Sequence, residues 1–232
     1  MKFPDPLLRG TLQKRYKRFL SDVMLDTGEE VIAHCANPGS MMGLKEPGLE
    51  VWLSPARNPD RKLRYSWELV RIGAGLVGIN TMFPNRIVEE AVGDGRIGEL
   101  TGYADIRREV KYGKNSRIDL LLRGGGRPDC YVEIKNVTLR RDRAAEFPDA
   151  VTARGTKHLV EMSDMVKAGA RAVMVYLVQR EDCHEFRIAG DIDPAYAAAL
   201  AAARGVGVEA VCYACRLSTE AIEIADPLAM KL

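Results

Sequence analysis

Three residues near the middle of the chain have the types and spacing of a metal-assisted hydrolytic centre: Asp119, Glu133 and Lys135. In the run Ser116-Arg117-Ile118-Asp119-Leu120-Leu121-Leu122, the two-residue period of a strand puts Arg117, Asp119 and Leu121 on one face and Ile118, Leu120 and Leu122 on the other. The same period groups Tyr131, Glu133 and Lys135 opposite Val132, Ile134 and Asn136. Gly124-Gly125-Gly126 separates the runs and predicts a hairpin that carries Asp119 close to Glu133 and Lys135. Two neighbouring carboxylates repel unless a cation lies with them, and an oxygen-rich hydrated site suits Mg²⁺ or Mn²⁺. A lysine beside such an ion orients or helps deprotonate an attacking water and steadies charge on phosphorus. The chemistry expected of this trio is phosphodiester hydrolysis, with Asp119 and Glu133 also serving as metal ligands. The competing reading is a pair of acids satisfied by Arg117 and Lys135 as surface ion pairs.

The strands and helices that carry these residues are legible in outline. A helix is expected over Pro84–Val92, where Ile87, Val88, Ala91 and Val92 recur at helical spacing after an initial proline and Gly93 ends the pattern. Strands follow at IRREVKYG, SRIDLLLRG and CYVEIKNVTLR. Leu159, Met162, Met165 and Val166 then line one side of an amphipathic helix that stops at Gly169. RAVMVYLVQR is apolar almost throughout, as a strand covered on both faces requires. An Ala-rich helix after Asp193-Pro194 and a strand at VEAVCYACRL complete the order α-β-β-β-α-β-α-β.

Before Asn80 the pattern is different. GTLQKRYKRFLSDVML and EEVIAHCA read as strands of a hairpin turning at Asp26-Thr27-Gly28, followed by short runs at LEVWLSPA, LRYSWELVRI and GLVGIN. Five short strands with Gly and Pro corners predict an oligonucleotide-binding (OB) type of barrel. The chain therefore divides into an all-β part, 1–80, and an α/β part, 81–232. Trp52 and Trp67 lie on barrel strands, where core packing is a more common role than base stacking. The loop Asn37-Pro38-Gly39-Ser40-Met41-Met42 either holds a ligand or is merely capped by its own polar groups.

Apolar residues make up 47% and charged residues 28% of the chain, values of a folded globular protein, and no run approaches the length of a membrane span. The amino-terminal segment lacks a signal-peptide core, and five cysteines fit free thiols in the cytoplasm, the expected location. Net charge is only +2, so the distribution matters more than the sum. Between 107 and 143 there are eleven Lys or Arg against five Asp or Glu, two of which are Asp119 and Glu133. Several basic groups acting jointly favour a polyanion partner. Candidate contacts are Arg15, Lys17 and Arg18; Arg61, Lys62 and Arg64; and Lys111, Tyr112, Lys114, Arg117, Arg140, Lys157 and His158. Tyr112 is a candidate for stacking on a base, and His158 either contacts phosphate or is a capped surface histidine. No helix-turn-helix pattern is present, so sequence preference should be weak.

Asp119 on one strand, a hairpin turn, Glu133-x-Lys135, then a helix and an apolar strand resemble the core of the PD-(D/E)xK nuclease superfamily. The blocks CANPGSM, EVWLS, NPDRKLRYSWELV, VGINT, ELTGY, EVKYGKNSRIDLLL, CYVEIKNVTL, FPDAVTARGTKHL, RAVMVYLVQR and IDPAYAAAL are similar, in that order and over nearly the whole chain, to those of the sugar fermentation stimulation protein A family. That resemblance implies a DNA-binding protein linked to regulation of carbohydrate metabolism, built from an OB-like barrel and a nuclease-like mixed sheet flanked by helices. An active Mg²⁺- or Mn²⁺-dependent nuclease for a special DNA or RNA structure is the alternative role. Nuclease-like domains often add a carboxylate from the helix before the sheet, which favours Glu90 over Glu89 as a further metal ligand.

Overall fold

The computed structural model describes residues 1–113 and 116–232. Its amino-terminal half is built from β1 (Leu8–Tyr16), β2 (Leu20–Leu25), β3 (Glu30–Cys35), β4 (Glu50–Pro55), β5 (Tyr65–Ile72) and β6 (Gly75–Gly78), in the order β3-β2-β1-β4-β5-β6. A parallel pairing of β3 with β5 closes the first five into an OB-like barrel, which leaves β6 as an addition on β5. Alternate residues point inward, so Leu12, Val23, Ala33, Cys35, Leu53 and Trp67 fill the barrel without leaving strand edges in its wall. Both tryptophans are buried, the core role expected of them.

The first expected strand is two strands. Tyr16 pairs with Leu20 across a turn in which Lys17 and Arg18 take φ of 45° and 65°. That left-handed conformation ordinarily selects Gly or Asn, and neither is present to mark the turn in the sequence. Arg15 compensates from the side, its Nε donating to the Arg18 carbonyl at 3.0 Å.

The carboxy-terminal part comprises α1 (Pro84–Gly93), a 3-10 turn at Gly98–Leu100, β7 (Asp105–Tyr112), β8 (Ser116–Arg123), β9 (Cys130–Val137), β10 (Leu139–Arg141), β11 (Ala144–Phe147), α2 (Ala153–Lys167), β12 (Arg171–Val178), β13 (Glu185–Ile188), α3 (Pro194–Gly205), β14 (Glu209–Leu217), β15 (Ile222–Pro227) and β16 (Ala229–Lys231). The main sheet runs β15-β14-β12-β9-β8-β7, and β12 is parallel to both neighbours. Its residues alternate strictly between two cores. Val173, Val175 and Leu177 pack with Ile87 and Val88 of α1, whereas Ala172, Met174, Tyr176 and Val178 pack with α2 and α3. This double coverage is what the continuous apolar run required. The short β10, β11, β13 and β16 form a second sheet; segments of three or four residues are too brief for a period to declare them.

The two parts share packing. Trp52, Leu69 and Leu76 of the barrel join the α1-side core, the Gly78 N–H donates to the Gln179 carbonyl at 2.9 Å, and Met1 donates its ammonium to the Ile222 carbonyl. Cys212 and Cys215 lie three apart on β14 and therefore enter opposite cores, and all five thiols are free and buried. Among the described residues, no helix is long and apolar enough to cross a membrane.

One expected alternation fails at the position that matters most. Ile118 packs with Leu121 on the α2 side, not with Leu120 and Leu122 on the α1 side. Between the pairs Arg108↔Leu120 and Val110↔Ile118, Glu109 adopts φ of 51°. The ribbon of β7 and β8 therefore kinks at Glu109 and Asp119, which places Tyr112 and Ile118 in the core on the α2 side of the sheet. The kink seats Tyr112 against Tyr131, ring centroids 5.5 Å apart.

Candidate metal centre and nucleic-acid interface

The site forms where β8 parts from β9. Their ladder runs from Leu122↔Cys130 to Leu120↔Val132 and stops. One residue beyond, the Asp119 carboxylate substitutes for the missing backbone partner: Oδ2 accepts from the Ile134 N–H at 2.7 Å, and Oδ1 accepts from Asn85 Nδ2 at 2.8 Å. Asn85 follows the proline that starts α1, so a helix beginning fixes one side of the carboxylate and a strand the other. Ile134 lies between Glu133 and Lys135, which sets Asp119 beside the Glu-x-Lys segment as expected.

Glu133 is buried, with 3% of its surface exposed. Its Oε1 receives Lys135 Nζ at 2.7 Å and lies 2.5 Å from His158 Nδ1, whereas its Oε2 is buried with no hydrogen-bond partner among the described residues. α2 brings His158 there. Thr152 caps that helix by accepting from the Gly155 N–H at 3.2 Å, and His158 then falls on the face turned to β9.

The two carboxylates have opposite electrostatic histories. Burial, reinforced by the charge on Glu133, pushes the Asp119 pKa up to about 6 despite the Ile134 and Asn85 hydrogen bonds. Burial also opposes ionisation of Glu133, but His158 and Lys135 outweigh it and hold that pKa below the ordinary carboxylate value. Glu133 is thus the anion at neutral pH, and Asp119 carries charge only against resistance. Burial, with Glu133, Glu161 and Asp119 as neighbours, pushes the Tyr112 hydroxyl well above its ordinary value.

A divalent cation suits this donor set. An orphaned carboxylate oxygen and an electrostatically strained neighbour are both relieved by positive charge. Among the described residues no three His, Cys, Asp or Glu side chains converge as a ready cage. One or two carboxylates completed by waters and a substrate phosphate are the way Mg²⁺ is commonly held.

Several expected assignments are corrected. Glu90 faces away from the site, its carboxylate 2.8 Å from the Met1 ammonium and 2.9 Å from Arg86 Nε. Asn85 and, one turn on, Glu89, which lies 3.4 Å from Arg108, mark the face of α1 turned toward β7 and β8. His158 is neither a surface histidine nor a phosphate contact, because Glu133 and α2 bury it to 3% exposure. Tyr112 is buried against Tyr131 and offers no face to a base. Arg15 is committed to backbone carbonyls, reaching the Asn37 oxygen at 2.8 Å, which ties the 37–42 loop to β1. Of the remaining basic candidates, Lys17, Arg18, Lys62, Arg64, Lys111, Arg117, Arg140 and Lys157 are exposed. Arg61 is half-buried and donates to Ser66 Oγ, Arg140 pairs with Asp182 at 3.2 Å, and Lys114 lies outside the described residues. Sequence reasoning missed Asn85 as a member of the site; the Pro-Asn start of α1 was the available signal for it.

Comparison with known proteins agrees with this architecture. A family described as the sugar fermentation stimulation protein RE domain matches residues 82–221, and one described as the SfsA N-terminal OB domain matches residues 14–79. The sugar fermentation stimulation protein homolog of Paramagnetospirillum magneticum is 63% identical over 100% of this chain and 98% of its own. That of Rhodospirillum rubrum is 57% identical over 94% and 93%. The structure of Pyrococcus furiosus SfsA in complex with Ca²⁺ superposes with a TM-score of 0.90 at 26% identity, covering 100% of this chain and 98% of that one.

Proposed function

The chain belongs to the sugar fermentation stimulation protein family, and we propose that it binds DNA through the phosphate backbone and hydrolyses phosphodiester bonds at a divalent-cation site between Asp119 and Glu133. The observation that carries this reading is the buried, unpartnered Oε2 of Glu133 beside a neighbouring carboxylate whose ionisation is resisted. Such an arrangement costs stability unless a cation completes it. The Ca²⁺ complex of the Pyrococcus furiosus relative supports a divalent ion in this fold; Mg²⁺ or Mn²⁺ is the ion we assign to the working protein.

When bound, the ion supplies a Lewis acid for a phosphoryl oxygen and lowers the pKa of water. The chain's own residues do the rest. Asn85 and the Ile134 N–H hold Asp119 in one orientation, and His158 fixes Glu133. Lys135, whose ammonium is already at the site, orients the attacking water and offsets charge developing on phosphorus. The exposed arginines and lysines around the centre align the backbone without reading its bases. The family's link to sugar fermentation we take to follow from this DNA contact, through regulation of carbohydrate metabolism.

A second reading, binding without turnover, draws on one feature: Lys135 and His158 both engage the same oxygen of Glu133 and close the site upon itself. Labelled single-stranded, duplex and branched DNA incubated with Mn²⁺, Mg²⁺ or chelator separates the two. Cleavage that needs the metal and vanishes in Glu133→Gln supports hydrolysis; metal-independent binding with every substrate intact supports the second reading.

A further inference from the structure

Beside the β1–β2 turn the barrel carries an exposed aromatic pair that the hydrolytic centre does not use. Phe19 is 43% exposed, and its ring lies nearly parallel to that of His34, with an angle of 26° and centroids 6.3 Å apart. Burial and the nearby Arg61 lower the His34 pKa, so at neutral pH the imidazole is an uncharged ring. The pair borders a groove of about 560 Å³ whose walls include Arg61, Ser66, Asn80 and Met82, the last 73% exposed. Lys17 and Arg18 stand exposed immediately before Phe19.

A monomeric chain gains nothing from holding a phenylalanine and a methionine open to water beside a half-buried histidine, so the groove calls for a partner with flat apolar faces. The cations at its rim call for that partner to be anionic. Unpaired nucleobases on a phosphate backbone meet both demands, whereas a duplex keeps its base faces stacked inside. The groove also leads somewhere. Pro38 and Thr81 line both it and a smaller cavity of about 140 Å³ at the junction of the two parts, where Asn136 of β9, with Thr138 just past that strand's end, forms the opposite wall. Glu133 and Lys135 lie on that same strand.

We propose that the Phe19–His34 platform and its groove bind single-stranded nucleic acid by base stacking and direct the strand toward the β9 site. This inference rests on the nucleic-acid reading above and specifies its substrate: a single strand, or a single-stranded segment next to a duplex.

Fluorescence anisotropy in chelator, with a labelled thymidine oligonucleotide, an abasic strand of equal length and a duplex, tests it. The wild type should bind the thymidine strand more tightly than the abasic one. Phe19→Ala should weaken thymidine binding about 5- to 150-fold, the range for loss of one stacked base, and leave the duplex and abasic affinities unchanged. Phe19→Trp should retain binding and report it directly, because Trp52 and Trp67 are buried and only the new indole should be quenched by a stacked base. Thermal melting confirms that each variant is folded; position 19 lies in an exposed turn and fills no core. Equal affinity of wild type and Phe19→Ala for the thymidine strand, or no quenching in a Phe19→Trp protein that binds it, overturns the platform while leaving backbone binding intact. Failure of the wild type to bind any of the three overturns both proposals.

Discussion

Replacing Asp119 with Asn should stabilise the metal-free protein at neutral pH, although it removes a residue of the proposed centre. The carboxyl pKa rises from an ordinary 3.8 to about 6, with burial as the larger cause and the charge of Glu133 as the next. That is roughly 2 pKa units, or about 3 kcal/mol, against the ionised form. Because the native state holds the proton more tightly than the unfolded chain does, the contribution favours folding fully below pH 3.8 and is lost as pH rises through about 6. Asparagine is neutral at every pH. Its oxygen can accept from the Ile134 N–H, and its amide can donate to Asn85 once that side chain turns over. Allowing for that rearrangement, the variant should gain about 2 kcal/mol near pH 7.5, a midpoint roughly 4–8 °C higher for a chain of this size. The gain should shrink to nothing near pH 4. Thermal and urea unfolding of both proteins across this range, in chelator, measures it. Saturating Mn²⁺ should reverse the order, since a ligand at a hundred times its Kd stabilises the wild type by about 2.7 kcal/mol and the variant lacks the site. A variant less stable than the wild type in chelator, by a margin that does not change with pH, would mean instead that hydrogen bonds to the carboxylate dominate over its electrostatic strain.

Lys135→Ala should lower metal-dependent cleavage by about 10²–10³-fold while costing no more than one phosphate contact's share of DNA affinity, as rate and anisotropy measurements made in parallel would reveal. His158→Ala leaves the buried Glu133 with Lys135 alone and should destabilise the fold by roughly 3 kcal/mol in urea titration; recovery of most of that loss on Mn²⁺ addition would place the ion at Glu133. Duplex binding should weaken by orders of magnitude between low and moderate salt, with a slope that reports the phosphates contacted, and a flat response with strong preference for one sequence would contradict backbone recognition.

Much of this protein was legible in its residues. The two-residue period marked β9 and the glycine triplet its hairpin, so the association of Asp119 with Glu133 and Lys135 needed no coordinates; the same local rules marked β12 as a strand covered twice, ended one helix before Gly169 and began another after Asp193, whose side chain is the observed cap. Residue types alone also bounded the chemistry, because two acids and a lysine on adjoining strands favour a hydrated divalent cation over softer metals. Tertiary structure decided what covers what. The left-handed Glu109 kinks β7 and β8, transfers Ile118 to the other core and tucks Tyr112 out of reach of any base. The rotation of α1 gives Asn85, not Glu90, to the site, and the docking of α2 turns His158 from a surface residue into the buried partner of Glu133. Periodicity is a property of neighbours along the chain and records which residues share a face; which face is then buried, and by what, depends on contacts between segments far apart in sequence, where the desolvation that sets the Asp119 and Glu133 charges arises.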